Sequence, residues 1–313
     1  MAGFALRKGA SDSGAQPDVP IKERFRAWWN GYELPKKPAD AEGPSAEHAA
    51  QDKAAGSGAM WNKTRRQLAE SVWSPGFVAP GGSKYVEKLV SGCSLTAAET
   101  MLEIGVGMGG ATRTIIGKFG NYVTAYERDA ALAEAAREHA VTYDFDDKLE
   151  VINAPVEDLD LKLGYFRAAL LRDIFFTVKD KKDLLTKVSQ SLKSGDSYMI
   201  ATDFLFDSDN DAPELKAWKE AEEQPVYPWT EGELTKTLAS LGVTPRIIQD
   251  ESDDYRAMVV EAWSDYLKSI KGKEVSEEMG RQMEKEGEFW ARRVAALETG
   301  ALRYYRIEAV KVS

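Results

Sequence analysis

Residues 100–115, Thr-Met-Leu-Glu-Ile-Gly-Val-Gly-Met-Gly-Gly-Ala-Thr-Arg-Thr-Ile, constrain the fold more than any other stretch of the chain. Met101, Leu102 and Ile104 form an apolar run that predicts a buried strand. Gly105, Gly107, Gly109 and Gly110 predict a tight turn, and Ala111, Ile115, Ile116 and Phe119 then recur at helical spacing. Strand, glycine turn and helix together open a nucleotide-binding βαβ unit. Glycines suit such a turn because a Cβ would block close approach of a ligand to the backbone. The helix that follows is expected to offer free N–H groups and a positive dipole end to a carboxylate or phosphate.

The alternation continues downstream. Strands are expected at 100–104, 122–126, 149–153, 167–171 and 197–202, with helices at 110–118, 130–140 and 180–191. That pattern predicts an α/β fold with a parallel sheet covered on both faces. Ligands in such sheets sit beyond the carboxyl ends of the strands, which groups Glu103, Glu127, Val156, Arg172, Asp173 and Phe204 around one crevice. Glu127 closes the second strand, where a carboxylate can accept both hydroxyls of a ribose. Gly105-x-Gly107-x-x-Gly110 also fits the dinucleotide fingerprint, so a nicotinamide dinucleotide and a ligand-free turn both stay open at this point.

Glu103 stands two residues before the first glycine. The resulting Glu-x-Gly-x-Gly-x-Gly resembles motif I of the class I S-adenosylmethionine (SAM) methyltransferases. The resemblance implies that the acid lies near the amino-acid end of that cofactor.

Composition narrows the classes. With 313 residues the chain can bury a large core, and 51 acidic against 41 basic residues give a net charge of −10. That balance argues against a nucleic-acid partner, since phosphate binding wants a basic face. Cys93 is alone, so neither an internal disulfide nor a cysteine metal cluster can form, and no Asp/Asn/His metal-ligand set stands out. No apolar run approaches the ~20 residues that span a bilayer. The N-terminal stretch lacks an apolar h-region, so a cytoplasmic location is expected.

Residues 1–20 read as a disordered tail. Ile21 to Leu34 predict an amphipathic helix with Phe25, Trp28 and Trp29 on one side. It could serve as a lid, as a foot on a membrane surface, or simply as packing against the main domain. Residues 35–58, rich in Ala, Gly, Pro and Lys, read as a linker. Met60–Val72 and Ser83–Val90 predict helices, and the Trp73–Gly82 stretch between them reads as a flap over a ligand. After Asp203 the order breaks into an acidic insertion from Phe206 to Tyr227. A helix at 231–241, a strand near 244–248, long helices over Asp253–Ile270 and Ser276–Glu298, and a last strand over Arg303–Val312 follow.

From about residue 65 onward the chain is also similar to the phosphoethanolamine (phosphobase) N-methyltransferases. Phe77-Val-Ala-Pro-Gly-Gly82 resembles their flap, and Leu102–Gly110 their motif I with its doubled glycine. Leu171-Arg-Asp-Ile-Phe-Phe-Thr-Val-Lys-Asp-Lys181 follows their Arg-Asp segment. Asp254-Tyr255 with Glu261, and the closing Arg303–Lys311, also fit. The resemblance implies a class I methyltransferase Rossmann-like fold: a seven-stranded, mostly parallel sheet, a helical N-terminal segment and a helical cap insertion. The expected layout is tail, helix and linker over 1–58, cofactor core over 59–205, cap and substrate region over 206–300, and a final strand within 301–313. Cofactor contacts are then expected from Phe77, Val78, Gly82, Glu103, Gly105, Gly107, Gly109, Glu127, Arg128, Val156, Glu157 and Arg172.

The chain departs from that family at the base. The family's catalytic His position holds Thr177, and the partner Tyr position falls near Ala69. The two histidines are His48, in the linker, and His139, late in a helix and expected at the surface. Methyl transfer is an in-line displacement in which alignment supplies up to ~7–11 kcal/mol, and only a protonated nucleophile needs a base. The expected acceptor is therefore a small amine, amino acid-like molecule or thioether. Tyr227, Trp229, Trp73 and Phe176 are candidates to face the methyl group by cation–π attraction, with Phe204 beside them. Tyr255 and Arg256 are candidates to hold a substrate carboxylate, and Thr177 or Asp173 to relay a proton. A carbon or oxygen acceptor on a lipid or quinone, and a SAM-binding protein without catalysis, are the alternatives.

Overall fold

The computed structural model describes residues 60–312. The tail, amphipathic helix and linker expected over 1–58 lie outside the described residues.

Seven strands form one sheet: β1 (Thr100–Ile104), β2 (Tyr122–Glu127), β3 (Leu149–Asn153), β4 (Ala168–Arg172), β5 (Ser197–Leu205), β6 (Val243–Asp250) and β7 (Arg303–Lys311). Their spatial order is β3-β2-β1-β4-β5-β7-β6, with β7 antiparallel to both neighbours and the other pairs parallel. The order reverses beside β1, so a crevice opens where β1 and β4 run out. β1 and β4 lie mid-sheet, where both faces are covered, and Met101, Leu102 and Ala168 to Leu171 are fully buried. This is why they read as unbroken apolar runs rather than alternating ones. The outer strand β6 carries Pro245 and a register shift between Pro245 and Ile247, both features of an edge.

Helices α1 (Lys63–Trp73) and α2 (Gly82–Leu89) precede the sheet, and α3 (Gly110–Phe119), α4 (Ala130–Thr142) and α5 (Lys181–Ser191) connect its parallel strands. Their starts follow local chemistry: Asn62 caps α1, Asp129 caps α4 by accepting from the amides of Ala131 and Leu132, and Asp180 caps α5. Beyond β5 come α6 (Pro213–Ala221), α7 (Glu231–Ser240), α8 (Ser252–Ser269) and α9 (Glu277–Glu298). Thr230 and Glu233 close a reciprocal capping box on α7.

Three expectations change. β5 runs to Leu205 rather than 202, because β7 pairs with it over its whole length, from Ser197↔Lys311 to Leu205↔Arg303. The acidic insertion is not featureless: Pro213 starts α6, whose Leu215 and Trp218 are fully buried. Finally, α1 does not stand apart from the helices that follow β5. It packs on α8 and α9, and α9 in turn packs on α6. Trp73 sits at that junction, its ring 4.6 Å from Trp290 and 6.3 Å from Trp263. No helix among the described residues is long and apolar enough to cross a membrane.

Candidate active site

One cavity opens at the carboxyl ends of β1, β2 and β4. Its floor is Glu103, Gly105, Val106, Gly107, Glu127 and Arg172, and Phe77, Val78 and Ala79 of the flap form one wall. Gly105 has a positive φ of 82° and approaches β4 so closely that a Cβ would stand 2.7 Å from Ile174 Cγ2. The flap is strapped to α3: the Gly110 amide donates to Gly76 O at 2.9 Å, and a Cβ on Gly110 would meet the Phe77 ring at 2.7 Å.

Glu127 is held from two sides. Its Oε2 accepts from the Gly107 amide at 2.9 Å and its Oε1 from the Asp129 amide at 3.0 Å. Each oxygen keeps a lone pair for a ligand. Burial raises its pKa to about 6, against the pull of those amides. Glu103 is buried and accepts from Thr112 Oγ1. Burial lifts its pKa to about 7, with Thr112 and Arg172 acting in the opposite direction. Burial alone would lower the pKa of the Arg172 guanidinium, but Asp173, with Glu103 also contributing, turns the shift upward. The Nε of Arg172 is buried and has no hydrogen-bond partner among the described residues. An acid beside a guanidinium with an unused donor suits a zwitterionic amino-acid group.

The amides of the glycine turn are held as follows. The amides of Gly105 and Val106 donate to Tyr126 O, Gly107 to Glu127, Gly109 to Val106 O and Gly110 to Gly76 O. Five amides of the turn are therefore engaged within the protein.

The far end of the cavity lies under the helices. Asp173, Phe176 and Thr177 come from the chain after β4; Arg65 from α1; Glu222, Glu223 and Gln224 from the turn after α6; Glu286, Phe289, Trp290 and Arg293 from α9. Asp173 has a positive φ of 56°, a strained value for a non-glycine residue. Thr202 Oγ1 and Tyr304 OH both donate to its Oδ1 at 2.9 Å. Beneath it, the carboxylate of Asp203 accepts the amides of Phe175, Phe176 and Phe204, fixing the turn that carries Phe176 and Thr177 to the cavity. Burial, and secondarily Asp173, push the Asp203 pKa up to about 8 while the three amides act the other way.

Of the residues expected from sequence, Phe77, Val78, Glu103, Gly105, Gly107, Glu127, Arg128, Val156, Arg172, Asp173, Phe176 and Thr177 line this cavity. Nine others lie outside it. Trp73 is locked between Trp290 and Trp263. Phe204 and Tyr255 are buried behind Phe176, with Tyr255 stacked on Tyr304 at 4.0 Å. Trp229 packs edge-on to Phe175 at 5.7 Å in the core, and Tyr227 donates its amide to Phe176 O. Arg256 pairs with Asp253 and Glu298. Gly82 begins α2, Gly109 caps α3 and Glu157 is exposed. His139 is not a free surface residue: its Nε2 lies 3.1 Å from Glu70 Oε1, which also accepts the Gly76 amide.

Arg65, Glu222, Glu223, Glu286, Phe289, Trp290 and Arg293 were not anticipated. The sequence carried one signal for them. In α9, Met283, Glu286, Trp290, Arg293 and Leu297 share a buried stripe, and two charged residues at apolar positions mark a polar pocket.

Comparison with known proteins agrees with this geometry. The methyltransferase-domain family matches residues 102–200, which run from β1 into β5. This is the class I methyltransferase fold. A sarcosine/dimethylglycine N-methyltransferase of Halorhodospira halochloris is 27% identical over 138 residues, covering 44% of this chain and 48% of that protein. The chain thus matches about half the length of that curated relative. The solved phosphoethanolamine N-methyltransferase 2 of Haemonchus contortus, in complex with SAM, superposes with a TM-score of 0.71 at 17% identity, covering 81% of this chain and 58% of that one. A putative sarcosine dimethylglycine methyltransferase from Galdieria sulphuraria gives a TM-score of 0.59 at 16% identity, with 93% and 98% covered.

Proposed function

We propose that this chain is a SAM-dependent methyltransferase that methylates the nitrogen of a small amine. The observation that carries the reading is the cavity floor: Glu127 bridged by two amides, with Glu103 and Arg172 side by side where β1 and β4 end. In this reading Glu127 accepts the ribose hydroxyls, while Glu103 and Arg172 hold the ammonium and carboxylate of the cofactor's amino-acid end. The two N-methyltransferases named above support nitrogen as the accepting atom.

When bound, SAM supplies a sulfonium methyl group, which the acceptor's lone pair takes by in-line displacement. The chain's own contribution is placement, worth up to ~7–11 kcal/mol when geometry is ideal. Phe176, Phe289 and Trp290 wall the far end with aromatic carbon. An amine that arrives neutral needs no base. One that arrives protonated gives its proton to water or to Asp173, whose carboxylate is held by two hydroxyls. Thr177 is not placed as a base, because its hydroxyl donates to Ile174 O at 2.9 Å.

Incubation with methyl-labelled SAM and a panel of amines and thioethers tests the reaction. A labelled amine is the expected product. Saturable SAM binding without label transfer to any panel member or cell extract would contradict catalysis.

Glu127→Ala is expected to weaken SAM binding by about 1.5–3 kcal/mol, roughly 10- to 150-fold, through loss of charge-assisted bonds. Affinity is also expected to fall as pH drops below 6, by about tenfold per unit at the acid end, because the ligand needs the ionised carboxylate. The effect on the fold has the opposite sign. A carboxyl raised from 4.5 to about 6 contributes its stability below 4.5 and loses it as pH rises through 6. Titration calorimetry of wild type and Glu127→Gln from pH 5 to 8 isolates the Glu127 part, since the variant should keep only the limb set by Glu103, whose pKa is about 7.

A further inference from the structure

We infer that the acceptor is an amine bearing no acidic group, such as an amino alcohol or a diamine, and that Glu222 and Glu223 exclude amines carrying a carboxylate or phosphate. The inference rests on the methyl-transfer reading of the same cavity and narrows its substrate class. Two arginines line the far end, and each is ion-paired to carboxylates of this chain, although the Nε of each has no hydrogen-bond partner among the described residues. Arg65 pairs with Glu223 and Glu286, both at 2.6 Å, and its NH1 also donates to Met60 O. Arg293 pairs with Glu222 at 2.5 Å. Its guanidinium lies over the rings of Phe204, Phe289 and Trp290 at 4.6–4.9 Å, so its faces are covered by aromatic carbon.

Charge balance points the same way. Six carboxylates and four guanidiniums line the whole cavity among the described residues. At the far end Asp173, Glu222, Glu223 and Glu286 outnumber Arg65 and Arg293, even with Lys285 reaching Glu223 at 3.0 Å. An acidic acceptor would have to displace an internal carboxylate or sit unpaired beside one, and a buried like-charge contact is a strong barrier. A protonated or neutral amine meets no such barrier and gains from the excess negative charge.

The test measures binding of a charge series to the protein loaded with S-adenosylhomocysteine, and then turnover with SAM. Ethanolamine and a short alkyl diamine are the acid-free members; sarcosine and phosphoethanolamine are the acidic ones. Wild type is expected to bind the acid-free amines at least about tenfold more tightly. Glu222→Gln frees Arg293 and is expected to narrow or reverse that ratio, while Glu222→Asp restores it. Tighter binding of either acidic amine by wild type overturns the inference, as does a Glu222→Gln variant that weakens both classes alike. Binding decides the inference even without turnover, whereas absence of label transfer counts against the methyltransferase reading alone.

Discussion

Asp203→Ala is expected to destabilise the protein by roughly 3 kcal/mol or more, because three buried amide donors lose their only side-chain acceptor at ~1–3 kcal/mol each. Those donors belong to Phe175, Phe176 and Phe204. For a folded unit of this size the loss corresponds to a fall of about 6–12 °C in melting temperature. Function should fail unevenly. The turn at Phe175–Thr177 brings Phe176 and Thr177 to the cavity, so acceptor KM should rise much more than SAM affinity falls. Asp203→Asn keeps one acceptor oxygen, which can still serve Phe176 and Phe204, but turns an amide donor toward Phe175. It should fall between wild type and alanine in both readouts. Thermal unfolding of the three proteins, with steady-state kinetics on each, checks the order. An alanine variant as stable as wild type would show that the buried carboxylate does not hold the turn.

Gly105→Val is expected to abolish SAM binding. The residue has a φ of 82°, and a Cβ there would lie 2.7 Å from Ile174 Cγ2 and 3.3 Å from Arg172 O. Left-handed backbone costs a non-glycine residue ~1–2 kcal/mol, and the collision adds ~1–3 kcal/mol of overpacking. Relief requires the ends of β1 and β4 to separate, which moves Glu103 and Arg172 apart. Gly105→Ala carries that Cβ contact but not the two further methyl groups of valine, and because Ile174 Cγ2 is a side-chain atom that can shift, it should retain weakened binding. Calorimetry on both variants, with circular dichroism to confirm the fold, gives the expected order glycine, alanine, valine. Equal affinity in valine and wild type would remove the glycine turn from the account.

The parts of this protein that were legible in its sequence are those fixed by local physics. β1 falls at 100–104 as expected because a doubly covered strand must be apolar throughout. Glu103 and Glu127 reach the cavity because each lies at or next to the carboxyl end of a parallel strand. What was not legible depends on long-range partners. Arg65 meets Glu223 across 158 positions and Arg293 meets Glu222 across 71, and no periodicity encodes such a meeting. The aromatic candidates show the same ambiguity from the other side. Trp73, Phe204, Trp229 and Tyr255 are suited by type to wall a cationic ligand, yet they fill the core, because burial of a large ring is as favourable there. Phe289 and Trp290, which do reach the cavity, differ from them only in position on α9. The glycine turn teaches a related lesson. Its residues line the crevice, but five of its amides bond to Tyr126 O, Glu127, Val106 O and Gly76 O, partners that the motif alone does not reveal.

The central claim is that the crevice beyond β1, β2 and β4 is built for an activated methyl donor rather than for a dinucleotide. Titration calorimetry of the whole protein with SAM, S-adenosylhomocysteine and NADH tests it most directly. The expected result is one saturable site shared by SAM and S-adenosylhomocysteine, weakened by Glu127→Ala, with no heat from NADH. Saturable binding of NADH, with none of SAM, would contradict it.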